Sequence, residues 1–329
     1  MKLGIIGSGS IVKEFLPELV KMSGLEVAGI QGTQRSAGEV RQLCNEYGIP
    51  LAAQDFDGLC ASGIDTVYTA VPNHLHYEYC RRALEKGLNV IVEKPLASND
   101  AEANELAGLA KGRSLFLFEA ISTLYLGNYR KIQEFLPRIG NIKLVQSQFS
   151  QYSRRYDKFR SGQVLPVFDP QKSGGALMDL NLYNLHFVMG LFGMPSAGKY
   201  YANIEKGIDT SGVVMLEYPG FSAACTAAKD CRGICGSIIQ GTDGIIRTDR
   251  APNSVGKVTL ELNNGTVEEY DDGMAGLRMV PEFNAFIDAV NHGGLAFCYG
   301  QLDKSLNVSR IQTQVRLEAG IWFPADKRD

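Results

Sequence analysis

The sequence predicts an α/β domain built on a parallel sheet, residues 1–120, followed by an α+β domain of mostly antiparallel strands, residues 121–329. Three observations predict it. Short, uninterrupted apolar runs alternate with stretches of helical spacing over residues 1–120. A glycine turn follows the first apolar run directly. Beyond residue 140 the pattern changes to apolar and polar alternation broken by turns.

In chain order, residues 3–6, 25–30, 64–71, 89–92 and 114–118 form the apolar runs, the pattern of strands covered on both faces. Residues 11–22, 37–47, 76–86 and 100–110 lie between them with helical spacing. Strand, helix, strand repeated in this way implies a parallel sheet with right-handed crossovers. A further helix is predicted over 129–136. Residues 142–153, 212–218, 221–228, 234–241 and 258–263 then alternate, separated by turn pairs such as Pro219-Gly220 and Asn264-Gly265. These read as antiparallel strands with one face buried and the other left to be covered or to meet another subunit. Helices over 281–290 and 302–318 finish the chain. Residues 152–173 read as a long binding loop or lid, with Arg154, Arg155, Lys158 and Arg160 facing an anion or solvent.

The 329 residues are 45% hydrophobic and 21% charged, enough apolar material for two cores. A formal net charge of -3 offers no field that would hold nucleic acid or an anionic membrane. The apolar start, Met1 to Gly7, is too short for a cleavable signal or a spanning segment. Seven scattered cysteines read as reduced thiols of a cytoplasmic protein. Cys225, Cys231 and Cys235 have the wrong spacing for zinc and lack a fourth ligand, so no metal site is expected and the cysteines are taken as buried strand residues.

Gly7, Ser8, Gly9, Ser10 and Ile11 join the first strand to the first helix. In that context Gly7 permits a tight turn and Gly9 the close approach of a pyrophosphate, whose charge meets free amides at the helix N-terminus. This predicts a Rossmann-type NAD(P) site, although Val12 stands where the fingerprint has a third small residue and would push the helix slightly off the sheet. The second strand lacks the acidic residue that bonds the ribose of NAD. Thr33, Gln34, Arg35 and Ser36 offer hydroxyls and a guanidinium instead, which favours NADP over NAD.

Val71 to His76 and Ile91 to Pro95 each end a buried strand at the edge where open α/β sheets bind ligands, so Pro72, Asn73, His76, Glu93 and Lys94 are expected in one crevice. Pro95 restricts Lys94 to an extended backbone. Together with Gly174-Gly175-Ala176-Leu177-Met178-Asp179, Glu119-Ala120 and Phe168-Asp169-Pro170, these motifs resemble the Gfo/Idh/MocA family of oxidoreductases across nearly the whole chain. The resemblance implies a Rossmann domain joined to a large open, mostly antiparallel sheet often used for homodimer or homotetramer contacts.

It also implies that Lys94, Asp179 and Tyr183 surround the carbon that gives or takes hydride. Asp179 and Tyr183, four residues apart, fall on one helix face, and His186 extends that stripe. Met178, Leu182, Leu185 and Met189 form the apolar stripe, leaving the polar one to face a crevice. Lys94 is assigned to the reacting oxygen, Tyr183 to acid/base work and Asp179 to orienting substrate and lysine. Tyrosine or lysine, with an ordinary pKa of about 10, serves there only if nearby positive charge lowers it. Tyrosine at 183 resembles the dihydrodiol dehydrogenase and glucose-fructose oxidoreductase subgroup, and Asn181 replaces a usual glycine. The role of His186 stays open. The expected activity is hydride transfer on a sugar, polyol or dihydrodiol-like substrate. A cofactor-binding sensor without turnover and an NAD-assisted glycosidase are the alternatives on the same scaffold, since chemistry belongs to the site and not to the fold.

Overall fold

The computed structural model describes residues 1–327. The chain forms two compact units, Met1–Ala120 with Phe283–Ser305, and Ile121–Glu282 with the residues from Leu306 onward. No described helix is long and apolar enough to cross a membrane.

In the first unit, strands β1 (Lys2–Ile6), β2 (Glu26–Gln31), β3 (Leu51–Ala53), β4 (Thr66–Thr69), β5 (Asn89–Glu93) and β6 (Leu117–Ala120) are all parallel, in the order β3-β2-β1-β4-β5-β6. The winding reverses at β1, so the carboxyl ends of β1 and β4 adjoin, the position at which such sheets open a crevice. Helices α1 (Ser10–Leu19), α2 (Ala37–Tyr47), α3 (Phe56–Cys60), α4 (His76–Glu85) and α5 (Asp100–Gly112) make the crossovers. Asp55 caps α3 through the Gly58 amide at 2.7 Å, and Asn99 caps α5 through the Glu102 amide at 2.9 Å. The sequence pattern did not reveal β3 or α3, whose 3 and 5 residues are too few to repeat a strand or helix period reliably.

The second unit opens with α6 (Gly127–Phe135), β7 (Ile142–Ser150) and α7 (Arg154–Arg160). Helix α7 corrects the expectation of a continuous loop over 152–173. Ser153 caps it, and the Phe159 ring lies 4.9 Å from Phe168, tying the segment to the core. A π-helical turn, Leu177–Asn181, leads into α8 (Leu182–Phe192). Then come β8 (Ala197–Glu205), β9 (Ile208–Tyr218), β10 (Phe221–Ala228), β11 (Gly236–Gly241), β12 (Gly244–Thr248), β13 (Val258–Leu262) and β14 (Val267–Tyr270).

With β7 these build an eight-stranded sheet, β14-β13-β12-β11-β7-β10-β9-β8, antiparallel except where β7 pairs β10. The sequence reading missed β8, β12 and β14. The outer two, β8 and β14, are edge strands that expose most of their residues and carry lysine and glutamate, which removes the apolar alternation. Cys225 is buried in β10 as expected. Cys231 is exposed and Cys235 half-buried, both in the connection before β11 rather than in a strand. No metal-binding cluster occurs among the described residues.

Helices α9 (Met279–His292) and α10 (Leu295–Glu318) complete the described helices, and from Phe283 to Ser305 the chain belongs again to the first unit. The Phe283 ring meets Phe15 at 4.7 Å and Tyr68 at 5.2 Å, and Phe286 stacks on Phe118 at 4.5 Å. The Leu117 amide points to the buried Cys298 sulfur at 3.4 Å. The amphipathic pattern of 281–290 announced a helix but not which core it would complete.

Candidate active site

Within the first unit, Gly7 leaves β1 at φ +112°, and an added Cβ would sit 2.2 Å from the Ala70 carbonyl oxygen at the end of β4. Only glycine fits that approach. Gly9 is the N-cap of α1 and is exposed, and an added Cβ there would meet nothing within 4 Å. Lys13 makes the first helical bond, to the Gly9 carbonyl at 3.2 Å. The amides of Ser10, Ile11 and Val12 therefore precede the helical ladder and present positive ends beside an open cradle. Val12 is buried, with 2% of its surface exposed. Ser8 donates to Glu39 of α2 at 3.3 Å, and Lys13, which pairs with the same carboxylate, holds it below its ordinary pKa.

Where β2 ends, a cavity of about 560 Å³ is lined by Gly32, Thr33, Gln34, Ala37, Val40 and Arg41, with Ala52, Ala53, Gln54 and Asp55 opposite. Thr33 and Ser36 cap each other, amide to hydroxyl, at 3.0 and 3.3 Å. Of the predicted loop residues, Thr33 and Gln34 line this cavity. Arg35 is exposed and is not part of the lining, whereas Arg41, on the second turn of α2, is. Sequence reasoning stopped at the loop and missed that cation.

The Glu93-Lys94-Pro95 turn leaves β5 with a cis Lys94–Pro95 bond. Buried acceptors hold the residues immediately beyond it. Glu119, 4% exposed, takes the Leu96 amide at 2.8 Å, and Glu102 takes the Ser98 amide at 3.1 Å. Tyr68 donates to Glu93 at 2.5 Å. Lys94 itself is half-buried at the carboxyl edge of the sheet, and Pro72 and Asn73 stand partly or fully exposed just beyond β4.

His76, expected as a cofactor contact, lies inside the first unit. Its ring is fully buried, with Nδ1 at 2.7 Å from the Pro95 carbonyl and Nε2 at 2.8 Å from the Val71 carbonyl. It ties together the two turns that carry Asn73 and Lys94. Burial outweighs these contacts and pushes its pKa below the ordinary value.

Within the second unit, Gly174 packs against the backbone of Pro166 and Asp169, and Gly175 precedes the π-helical turn because the Asp209 carboxylate closes on that helix N-terminus. A Cβ on Gly175 would lie 2.1 Å from Asp209 Oδ1. Asp209 Oδ2 accepts the Leu177 amide at 2.6 Å and the Tyr200 hydroxyl at 2.8 Å. Burial raises its pKa even so.

Asp179 lies on the π-helical turn and Tyr183 on the first turn of α8. The expected division of α8 into apolar and polar stripes is not observed, since every residue from Leu182 to Met189 is buried. Asn181 and Asn184 find their partners inside instead. Asn181 donates to the Cys225 carbonyl at 3.0 Å, and Asn184 to the Thr226 carbonyl at 3.0 Å and to Asn181 at 2.8 Å. The Ser147 hydroxyl donates to Asn184 at 2.9 Å.

Tyr183 keeps 7% exposure and its ring lies 6.0 Å from that of Phe149, while His186 is 1% exposed. Asp179 retains 31% of its side-chain surface and forms an ion pair with Lys229, which is 2% exposed. Lys229 was not singled out from the sequence. The available signal was of the kind that identified Lys94: a lysine directly after a buried strand, here Ala227-Ala228-Lys229. Asp209 carried no comparable signal.

Residues 1–120 match a family described as an oxidoreductase family with an NAD-binding Rossmann fold, and residues 129–247 match the GFO/IDH/MocA C-terminal domain. The chain is 31% identical to the NADP-dependent scyllo-inositol 2-dehydrogenase IolU of Bacillus subtilis over 99% of both chains. It is 24% identical to mouse trans-1,2-dihydrobenzene-1,2-diol dehydrogenase over 100% of this chain and 99% of that one. Among solved structures, KijD10, a 3-ketoreductase from Actinomadura kijaniata in complex with NADP and TDP-benzene, superposes with a TM-score of 0.83 at 21% identity, covering 98% of each chain. That last likeness is one of fold.

Proposed function

Because this chain belongs to the Gfo/Idh/MocA family of NAD(P)-dependent oxidoreductases, we propose that it transfers hydride between a nicotinamide and the carbinol carbon of a sugar, polyol or dihydrodiol-like substrate, with NADP preferred. The dinucleotide fits what the first unit presents. Gly9 leaves an open cradle over three leading amides, and the cavity beside Thr33, Gln34 and Arg41 suits an adenosine end carrying a 2′-phosphate. Gly7, Ser8, Ser10 and Ile11 would complete the cradle, with Arg35 reaching the cofactor from the exposed loop after β2 and Pro72, Asn73 and Glu93 from the carboxyl edge.

When bound, the nicotinamide supplies the two-electron acceptor or donor. The chain's own side chains manage oxygen and proton. Lys94 bonds the reacting oxygen, Tyr183 as its phenolate takes the hydroxyl proton as the carbinol becomes a carbonyl and as the phenol returns it in the reverse direction, and Asp179 orients the substrate. The observation that carries this reading is the fixation of Lys94, whose turn is held by Glu119 and by the His76 ring at the edge of β5.

The experiment is a screen of NADP and NAD against sugars, inositols and vicinal diols, read by nicotinamide absorbance and fluorescence. Turnover with NADP supports the reading. Binding without turnover points to a sensor, and release of sugar from an aryl glycoside without net change in absorbance points to a glycosidase. The same reading takes the protein as cytoplasmic, in keeping with its seven free cysteines. It also takes it as a homodimer or homotetramer, for which Leu144, Tyr201 and Ile238 of the large sheet are exposed. Light scattering tests the assembly.

A further inference from the structure

We infer that Lys229 is a positioning residue of the reaction, fixing the Asp179 carboxylate in place before substrate arrives. This rests on the role proposed above for Asp179. The lysine is built into the second unit with unusual thoroughness. Its amide donates to the Thr210 carbonyl at 2.8 Å, and its carbonyl accepts the Ser153 amide at 2.9 Å. Its ammonium lies 5.1 Å over the Phe168 ring and bonds Asp179 Oδ2. Asp230, next in the chain, accepts the Thr210 and Ser211 hydroxyls at 2.7 and 2.8 Å, which anchors the same turn from its other side.

Burying an ammonium to 2% exposure is costly, and a well-packed apolar side chain serves stability as well or better. The arrangement gains meaning from its asymmetry. The lysine is sealed, while the carboxylate it holds keeps 31% of its side-chain surface exposed on the turn that leads to Tyr183. A charge held from behind has its rotamer set in advance, so little reorganisation remains when a hydroxyl binds to it. Asp209, on the neighbouring strand, is bonded to the Leu177 amide and the Tyr200 hydroxyl, while the Lys229 ammonium bonds Asp179.

The test is a mutant cycle on the full-length protein: Asp179→Asn, Lys229→Met, Lys229→Arg and the double variant Asp179→Asn with Lys229→Met. Each is assayed for kcat, KM and NADPH affinity, with the substrate identified by the screen. Lys229→Met is expected to lower kcat about 10–100-fold, the effect of a misplaced group, with NADPH affinity within about twofold. Lys229→Arg is expected to recover most of that loss. The double variant is expected to be no slower than Asp179→Asn alone, because the lysine acts only through the carboxylate.

Wild-type kcat and KM in Lys229→Met, or losses that multiply in the double variant, would overturn the inference while leaving the role of Asp179 intact. If Lys229→Met does not fold, the comparison of the double variant with Asp179→Asn decides. A tenfold or larger difference between those two overturns it as well. Wild-type turnover in Asp179→Asn overturns the role of the aspartate itself, and this inference with it.

Discussion

Asp209 Oδ2 receives the Leu177 amide at 2.6 Å, closing the N-terminus of the helical segment that carries Asp179 and Tyr183, and accepts the Tyr200 hydroxyl with the same atom. Removing the carboxylate strands two buried donors. Asp209→Ala is expected to cost ~2–4 kcal/mol of stability, seen as a lower urea midpoint, whereas Asp209→Asn keeps one acceptor oxygen for both donors and costs under ~1 kcal/mol. Equal losses in the two variants would show that the bonds to Oδ2 are not what matters.

The two glycines of the first turn should separate folding from binding. Gly7→Ala meets both a φ of +112° and the Ala70 carbonyl, so it is expected to destabilise the first unit by about 1–3 kcal/mol. Gly9→Ala meets no atom of the chain. It should leave the melting temperature unchanged while weakening NADPH binding about 10-fold, or ~1.4 kcal/mol, by filling the cradle. Unaltered affinity in Gly9→Ala would move the pyrophosphate elsewhere.

Lys94→Met should abolish turnover by about 10²–10⁴-fold, the range for a group acting on the reacting oxygen and its proton. Fluorescence titration should find NADPH affinity nearly unchanged. Retained turnover would remove Lys94 from the chemistry.

Arg41 offers a sharper test of cofactor choice than the exposed loop does. If the cavity at the end of β2 takes the 2′-phosphate, Arg41→Ala weakens NADPH about 10-fold or more, as for a charged hydrogen bond worth ~1.5–3 kcal/mol, and leaves NADH unaffected. A parallel loss for both cofactors would argue against that placement.

His76 predicts an acid sensitivity. The unfolded chain takes up its proton near 6.5, while the buried native ring takes it up only at lower pH. The stability conferred by the neutral ring is therefore complete above 6.5 and is lost as pH falls through the native value. Thermal melts of the wild type should decline with acidity below 6.5, and His76→Leu should start lower and show less of that slope. A slope identical in the two proteins would assign the effect to other groups.

Much of the first unit was legible because strands buried on both faces leave uninterrupted apolar runs, and because Gly7 and Gly9 fall directly between the first strand and the first helix in chain order. The edge strands β8 and β14 were hidden, since exposed edges carry charge in place of alternation. At the site, Lys94 and Asp179 stood out by position and motif. The partners that fix them did not. Glu119 reaches the Leu96 amide from 23 residues away, and Lys229 reaches Asp179 from 50, so each pairing is a product of tertiary structure. The surroundings of His76 were hidden for the same reason: its motif position was plain, but its two carbonyl contacts depend on how β4 and β5 end side by side.

The return of Phe283–Ser305 to the first unit has a bearing on biosynthesis. The sheet of the dinucleotide-binding half is complete in the chain by Ala120, yet the rings of Phe283 and Phe286 that fill its interior follow only after Ile121–Glu282 of the second unit. Its sheet emerges with one aromatic flank uncovered, and the nascent protein must keep that flank from sticking to its neighbours until the intervening unit has been made.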